Sequence, residues 1–161
     1  MEGIRSPYIL TGVMRQAIHA FKYRGISSLA PILGHLLADY LSENRLPVDV
    51  VVAVPLHPQR RKERGYDQAE LLAGQLAREL GLSLGRGWLV RQRPTKPQVK
   101  TASAAERARN VLGAFASTVR LEPGRSVLLV DDVCTTSATL TECARAVRGG
   151  KPKEIWSLAM A

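Results

Sequence analysis

Cysteine, histidine and aromatic residues are all scarce in this chain, and each scarcity removes a class of function. Its two cysteines, Cys134 and Cys143, are not spaced as CxxC and offer no disulfide framework. Two Trp, four Tyr and two Phe are not interleaved with basic residues in the way that stacking of unpaired bases requires. No apolar run approaches the length of a transmembrane helix, and the Met1-Glu2-Gly3 start lacks the basic and apolar regions of a signal peptide. A soluble, cytoplasmic protein without membrane association is therefore expected. Neither GxxxxGK[ST] nor a GxGxxG after a strand occurs, which removes support for an NTPase or a dinucleotide-binding fold. Repeats, low-complexity tracts and Gly/Ser linkers are missing as well. With 161 residues, 45% of them hydrophobic, the chain can bury one core and is expected to form a single domain over 1–161.

What the chain has in excess is positive charge: 23 basic against 14 acidic residues, a net +9. Such a balance speaks of partners rather than fold, and predicts an anionic ligand or weak nucleic-acid binding. From Arg86 to Arg109 the basic residues Arg86, Arg91, Arg93, Lys96, Lys100, Arg107 and Arg109 face the single acid Glu106. Taken singly, each of these reads as an ordinary solvated side chain.

Hydrophobic periodicity organises the remainder. Val13, Ala17, Ile18 and Phe21 share one helical face, followed by Lys22, Tyr23 and Arg24, and Gly25 stops that helix. A second helix is predicted from about Leu29 to Leu41, with Ser27 and Ser28 as capping candidates and Pro31 in its first turn. His35 on this helix reads as a surface or core residue rather than a metal ligand. The run Val48 to Val54 predicts a buried strand that leads into the basic loop PLHPQRRKERGYDQAE. A helix follows from about Asp67, with Leu72, Ala73, Leu76 and Leu80 on one stripe and Gly81 closing it. Next come a strand from Trp88 to Arg91, a loop with Pro94 and Pro97, a helical piece from Ala104 to Arg109 and a strand from Val111 to Phe115. After a strand over 127–133, the pattern ends with a helix from Ala138 to Arg148 and a strand from Glu154 to Ala159. This alternation predicts an α/β protein, a mainly parallel twisted sheet flanked by helices.

The most informative stretch is VLLVDDVCTTSATL, residues 127 to 140. Its β-branched and leucine-rich start reads as a strand buried on both faces. Asp131 and Asp132 then fall at the carboxyl end, where ligands of open α/β sheets bind. Two carboxylates there can accept hydrogen bonds from vicinal ribose hydroxyls, provided the strand is turning, since neighbours on a regular strand point to opposite faces. Thr135, Thr136, Ser137 and Thr139 add hydroxyls just where a helix begins, and its orphan amides and dipole favour a phosphate. An ordinary acidic turn that caps the helix through Ser137 or Thr136 is the plainer alternative. Cys134 in this loop reads as a small filler rather than a nucleophile, since no histidine is near it in sequence.

This constellation resembles the phosphoribosyl pyrophosphate (PRPP) motif of type I phosphoribosyltransferases. Together with AFKYRG (20–25), VPLHPQRRKERGYDQAELLA (54–73), RPTKPQV (93–99) and ERARNVLGAF (106–115), it makes nearly the whole chain resemble the ComF family. That family is phosphoribosyltransferase-like and is associated with bacterial competence for DNA uptake. The resemblance implies the type I phosphoribosyltransferase fold, with 1–45 as a small helical hood and 46–161 as the α/β core. It implies Asp131 and Asp132 as ribose-binding and catalytic carboxylates, and Thr135, Thr136, Ser137, Ala138 and Thr139 as the 5′-phosphate turn. Leu56 and His57, between Pro55 and Pro58, would form the pyrophosphate turn, with Arg60, Arg61 and Arg64 extending its positive surface. His57 would either donate a hydrogen bond there or brace the turn. Residues 92–110, with Lys96 and Lys100, correspond to a mobile loop that closes over substrate, while Lys22 and Tyr23 would face the site from the hood.

On this resemblance the chain is a Mg²⁺-dependent transferase that moves the phosphoribosyl group of PRPP to an unidentified nucleophile and releases pyrophosphate. Mg²⁺ would be held mainly through PRPP. The alternative is a non-catalytic PRPP-binding or scaffold module in competence, DNA uptake or recombination, with proteins of those processes as partners; oligomers are compatible with either. Three departures stand out. The four-cysteine zinc ribbon that begins many ComF proteins has no counterpart in these residues, so no zinc site is expected. Ser137 occupies the usual phosphate-loop glycine position, at a cost of ~1 kcal/mol if positive φ is required. Thr135 stands where purine-salvage members carry a carboxylate that assists proton transfer at the base.

Overall fold

The computed structural model describes residues 1–93, 103–120 and 124–161. Lys96 and Lys100 of the expected loop lie outside the described residues. Five strands, β1 (Gly3–Arg5), β2 (Val50–Ala53), β3 (Ser83–Leu84), β6 (Val127–Asp131) and β7 (Ile155–Ala159), form a sheet in the order β1-β7-β6-β2-β3. Every neighbouring pair is parallel. Beside it, β4 (Leu89–Arg91) and β5 (Phe115–Ser117) make an antiparallel pair.

The side-chain period of two divides the central strands between two cores. Val51, Leu128, Val130 and Leu158 face α1 (Gly12–Tyr23), α2 (Ala30–Glu43) and α4 (Gln68–Leu80), with Phe21, Leu37 and Leu72 fully buried there. Val50, Val52, Val127, Leu129 and Ile155 pack instead against α6 (Ala138–Arg148), β4, β5 and Val111 of α5 (Ala104–Val111). Helices thus cover both faces, which is why β2 and β6 are near-continuous apolar runs. The α2–α4 contact depends on Gly34: a Cβ added there would lie 2.6 Å from Cβ and Cγ of Gln75. Gly34→Ala is expected to cost roughly 1–3 kcal/mol by overpacking. Urea unfolding should show this as a lower midpoint with an unchanged slope.

Several expected boundaries are corrected. The basic stretch after β2 contains a helix, α3 (Pro58–Arg64), rather than only loop, started by Pro58 and ended by Gly65 at φ 82°. Val111 is the last residue of α5, and Gly113 (φ 67°) turns the chain, so the next strand begins at Phe115 instead of running from Val111 to Phe115. Ser27 and Ser28 form a short 3₁₀ turn (Ser27–Leu29) that runs into α2, and neither caps it. β2 runs from Val50 to Ala53 rather than from Val48 to Val54; before it, Val48 N–H bonds back to Leu46 and the Asp49 side chain accepts from Ser126 N at 2.7 Å. The strand expected over 127–133 ends at Asp131. β1 and β3 are additional strands. Among the described residues no helix is long and apolar enough to cross a membrane.

Candidate functional site

β6 is buried through Val130 and delivers Asp131 and Asp132 at its carboxyl end. The strand turns there: Asp132 N–H donates to Asp131 Oδ1 at 2.8 Å. Asp132, itself buried, meets Lys22 Nζ from the end of α1 at 2.9 Å. Over these groups opens a cleft of about 880 Å³. One wall is the end of α1, with Lys22, Tyr23 and Arg24; another is the turn after β2, with Pro55 and Leu56. Arg60 and Arg64 of α3 and Arg91 of β4 also reach it.

A small pocket of about 60 Å³ adjoins the cleft, bordered by the turn from Cys134 to Thr139; Asp131 and Thr139 border both. Ser137 precedes α6 in the left-handed region, φ 53°, and its side chain makes no capping hydrogen bond. The plainer reading of Ser137 as a side-chain cap is thereby excluded. Cys134 N–H donates to Ala161 O at 2.7 Å and Thr141 N–H to Ser137 O at 2.8 Å, which fix the two ends of the turn. The first turn of α6 carries no acidic residue. Its amides and dipole consequently favour an anion. Ser137→Gly is expected to raise stability by about 1 kcal/mol, because glycine adopts this φ without strain. A higher thermal midpoint is the readout.

The electrostatics of the strand end are unusual. Burial, and secondarily the Asp132 carboxylate, pushes Asp131 up to about 8, against the opposing charge of Lys22. Burial also raises Asp67, whose two oxygens accept from Leu56 N at 2.8 Å and Glu70 N at 3.2 Å. One carboxylate thus caps α4 and pins the Pro55–Leu56 turn. Arg91 lies on the Phe115 ring at 5.2 Å; burial, with Arg60 nearby, lowers its guanidinium pKa, while Asp131 acts in the opposite sense. The end of α1 is gripped by α4 and its approach: Tyr66 Oη and buried Gln68 Nε2 both donate to Phe21 O. Gln68 Oε1 accepts from Arg64 Nη1 at 2.9 Å, and that guanidinium lies 5.2 Å from the Tyr23 ring centre.

Of the residues singled out in the sequence, Lys22, Tyr23, Leu56, Arg60, Arg64, Asp131, Asp132 and Thr139 meet in the cleft. Thr135, Thr136, Ser137 and Ala138 border the adjoining pocket. Two residues do not join them. His57 accepts from Gln59 N at 3.3 Å as the cap of α3, the bracing alternative, and Arg61 turns to Glu70 at 2.9 Å. Asp67, Gln68, Arg24 and Arg91 were not singled out as site residues. Asp67 was legible as a helix start, but its bond to Leu56 joins chain segments whose proximity only the fold creates.

Comparison with known proteins agrees with this geometry. Residues 67–161 match the phosphoribosyl transferase domain. Competence protein F of Haemophilus influenzae is 38% identical over 121 residues, 73% of this chain and 52% of its own length. The DNA utilization protein YhgH of Escherichia coli K12 is 34% identical over 149 residues, covering 88% of this chain and 64% of that protein. Competence protein ComFC of Bacillus subtilis is 30% identical over 161 residues, 97% and 62% of the two chains. The chain spans about half to two-thirds of the length of these relatives. Among solved structures, the glutamine PRPP amidotransferase of B. subtilis superposes with a TM-score of 0.57 at 22% identity, over 84% of this chain and 26% of that one. The allosteric regulatory enzyme of purine biosynthesis gives 0.56 at 21%, with the same coverage. These two likenesses are of fold. A parallel sheet of this order, the acidic strand end with its anion-favouring turn, and the matched residues lead to one assignment: the chain belongs to the phosphoribosyl transferase domain family, in its ComF branch, and has the type I phosphoribosyltransferase fold.

Proposed function

We propose that the cleft binds PRPP and that the chain transfers its phosphoribosyl group to a nucleophile with release of pyrophosphate. The observation that carries this reading is the juxtaposition of Asp131 and Asp132 with the left-handed turn at Ser137, at the mouth of a cleft lined by arginines. The ribose hydroxyls donate to the two carboxylates, and the 5′-phosphate rests on the turn from Thr135 to Thr139. Pyrophosphate lies against Leu56 and Arg60, whose turn Asp67 holds rigid. As the C1–O bond weakens, positive charge on the sugar is stabilised by the nearby carboxylates, and negative charge on the departing group by Arg60 and Arg91.

The oxygen donors fit a Mg²⁺ carried in with the substrate. Asp67 spends both oxygens on backbone amides and Asp132 pairs with Lys22, while Asp131, whose Oδ1 accepts from Asp132 N–H, has Oδ2 left to hold a cation whose other ligands would be phosphate oxygens. When bound, Mg²⁺ supplies charge neutralisation at the pyrophosphate. A cytoplasmic setting belongs to this reading.

Calorimetry with Mg²⁺-PRPP, followed by pyrophosphate release in the presence of a panel of nitrogen nucleophiles, tests it. Micromolar binding with release is expected; failure of PRPP to bind the folded protein would sink the proposal. The printed names of the relatives favour a second reading, a PRPP-binding module in DNA uptake. PRPP binding without turnover, together with salt-sensitive affinity for single-stranded DNA, would select it.

A further inference from the structure

The consecutive residues Tyr66, Asp67 and Gln68 join two walls of the cleft. Asp67 holds Leu56 N–H on the side of β2, while Tyr66 Oη and Gln68 Nε2 both donate to Phe21 O on the side of α1. Phe21 lies in the last turn of α1, where carbonyls have no partner within the helix. α4 and its approach thus supply the donors that this helix end lacks. The next residue, Lys22, carries the ammonium that meets Asp132.

Gln68 differs from Tyr66 in making a second bond. Its Oε1 accepts from Arg64 Nη1 at 2.9 Å while Nε2 reaches Phe21 O at 3.3 Å. Arginine only donates and a carbonyl only accepts, so position 68 needs one acceptor and one donor on the same planar group, which is an amide. Gln68 is 1% exposed, and neither half can turn to water when its partner leaves. Arg64, by contrast, is partly exposed, lines the cleft and lies 5.2 Å from the Tyr23 ring centre. Neither the amide oxygen nor the ring cancels its charge. Because a guanidinium carries several N–H groups in a fixed fork, a phosphate can take others while Nη1 stays on Gln68.

We propose that Gln68 is a positioning residue that transmits occupation of the cleft's arginines by a polyphosphate to the end of α1. On the function proposed above, that polyphosphate is the diphosphate group of PRPP. An anion that holds the Arg64 guanidinium still keeps Gln68 Oε1 satisfied. The amide is then locked with Nε2 toward Phe21 O, and the last turn of α1, with Lys22 on it, is ordered over Asp132. In the empty cleft, each excursion of Arg64 leaves a buried oxygen without its donor and loosens the grip on Phe21.

Hydrogen exchange on the full chain, read at the amides of Phe21 to Arg24, tests this with Mg²⁺ and inorganic pyrophosphate, each variant being saturated by calorimetry. In the parent, pyrophosphate is expected to slow exchange there roughly five-fold, the equilibrium weight of one net hydrogen bond. Gln68→Met fills the same space with neither donor nor acceptor and should abolish that response. Tyr66→Phe keeps its ring against Phe21 and removes the other donor to Phe21 O, so it should speed exchange in the empty protein yet retain the response. A merely structural role for Gln68 predicts the same behaviour from both variants. In the ligand-free protein Arg64→Ala should speed exchange in the same turn, and should add nothing in the Gln68→Met background. A response retained in Gln68→Met, a response lost equally in Tyr66→Phe, faster exchange on binding, or additive effects of Arg64→Ala and Gln68→Met would each overturn the proposal. If Gln68→Met does not fold, Arg64→Ala is compared with Arg60→Ala in the ligand-free protein, and equal effects on this turn would overturn it. Failure of both PRPP and pyrophosphate to bind the parent counts against the function proposed above, while the ligand-free variants still decide whether Arg64 acts on α1 through Gln68.

Discussion

Asp131→Asn is expected to weaken PRPP binding roughly 10-fold, the loss of a hydrogen-bond acceptor at the strand end, while making the protein more stable at pH 8. The sign of the second effect follows from the strand end. Burial and the Asp132 carboxylate raise the native pKa of Asp131 to about 8 from an ordinary 3.8. Between those values the folded protein binds a proton that the unfolded chain has lost, so stability falls as pH rises through this window. Asparagine cannot ionise, and it removes that decline. The gain is expected to be roughly 1–3 kcal/mol at pH 8 and to vanish near pH 4. Thermal midpoints of both proteins across this range provide the check; a variant less stable than the parent at pH 8 would show that the carboxylate is not held under strain.

The second large effect is expected at Lys22. Its Nζ, 2.9 Å from Asp132 Oδ1, is the counter-charge of that buried carboxylate at the end of β6. Lys22→Ala leaves Asp132 buried without it, and should destabilise the protein by roughly 1–3 kcal/mol at pH 7. The loss should shrink on acidification, since Asp131, raised by burial, takes up its proton more readily in the folded state than in the unfolded one. Adding Asp132→Asn should recover most of the loss at neutral pH, a coupling that a double-mutant cycle measures directly. An additive double mutant would mean that the ion pair does little for the fold. Lys22→Ala also removes the contact between the end of α1 and Asp132, so on the function proposed above acceptor-dependent turnover should fall further than PRPP affinity.

The parts of this molecule legible in the sequence are those in which local pattern and tertiary role agree. Val127 to Val130 is apolar because both faces are covered, and Ala138 to Arg148 presents Leu140, Ala144 and Val147 to one core at helical spacing. The positive φ at Ser137 was legible as a departure from glycine. α3 was hidden because PQRRKER has no apolar stripe, although Pro58 at its start and Gly65 past its end are ordinary helix signals. β1 and β3, with three and two residues, are too short for a period to register. Arg91 escaped notice as a site residue because the antiparallel pairing of Arg91 with Phe115 brings its side chain to the cleft. Likewise, Gln68 sits within a helical stripe, and nothing local reveals its reach to Phe21.

The parallel pairing of Val50–Ala53 with Val127–Val130 also governs how the molecule comes into being. The turn that holds Leu56 and the turn that holds Ser137 emerge side by side only after these two distant segments have found each other, and closing so long an intervening chain is slow. No nascent or truncated product that stops short of β6 brings the Asp131 and Asp132 strand end to the Leu56 turn, whatever helices it has already formed. Ligand affinity during refolding should accordingly appear in a single late step together with the last burial of the central strands, and so time the completion of the sheet.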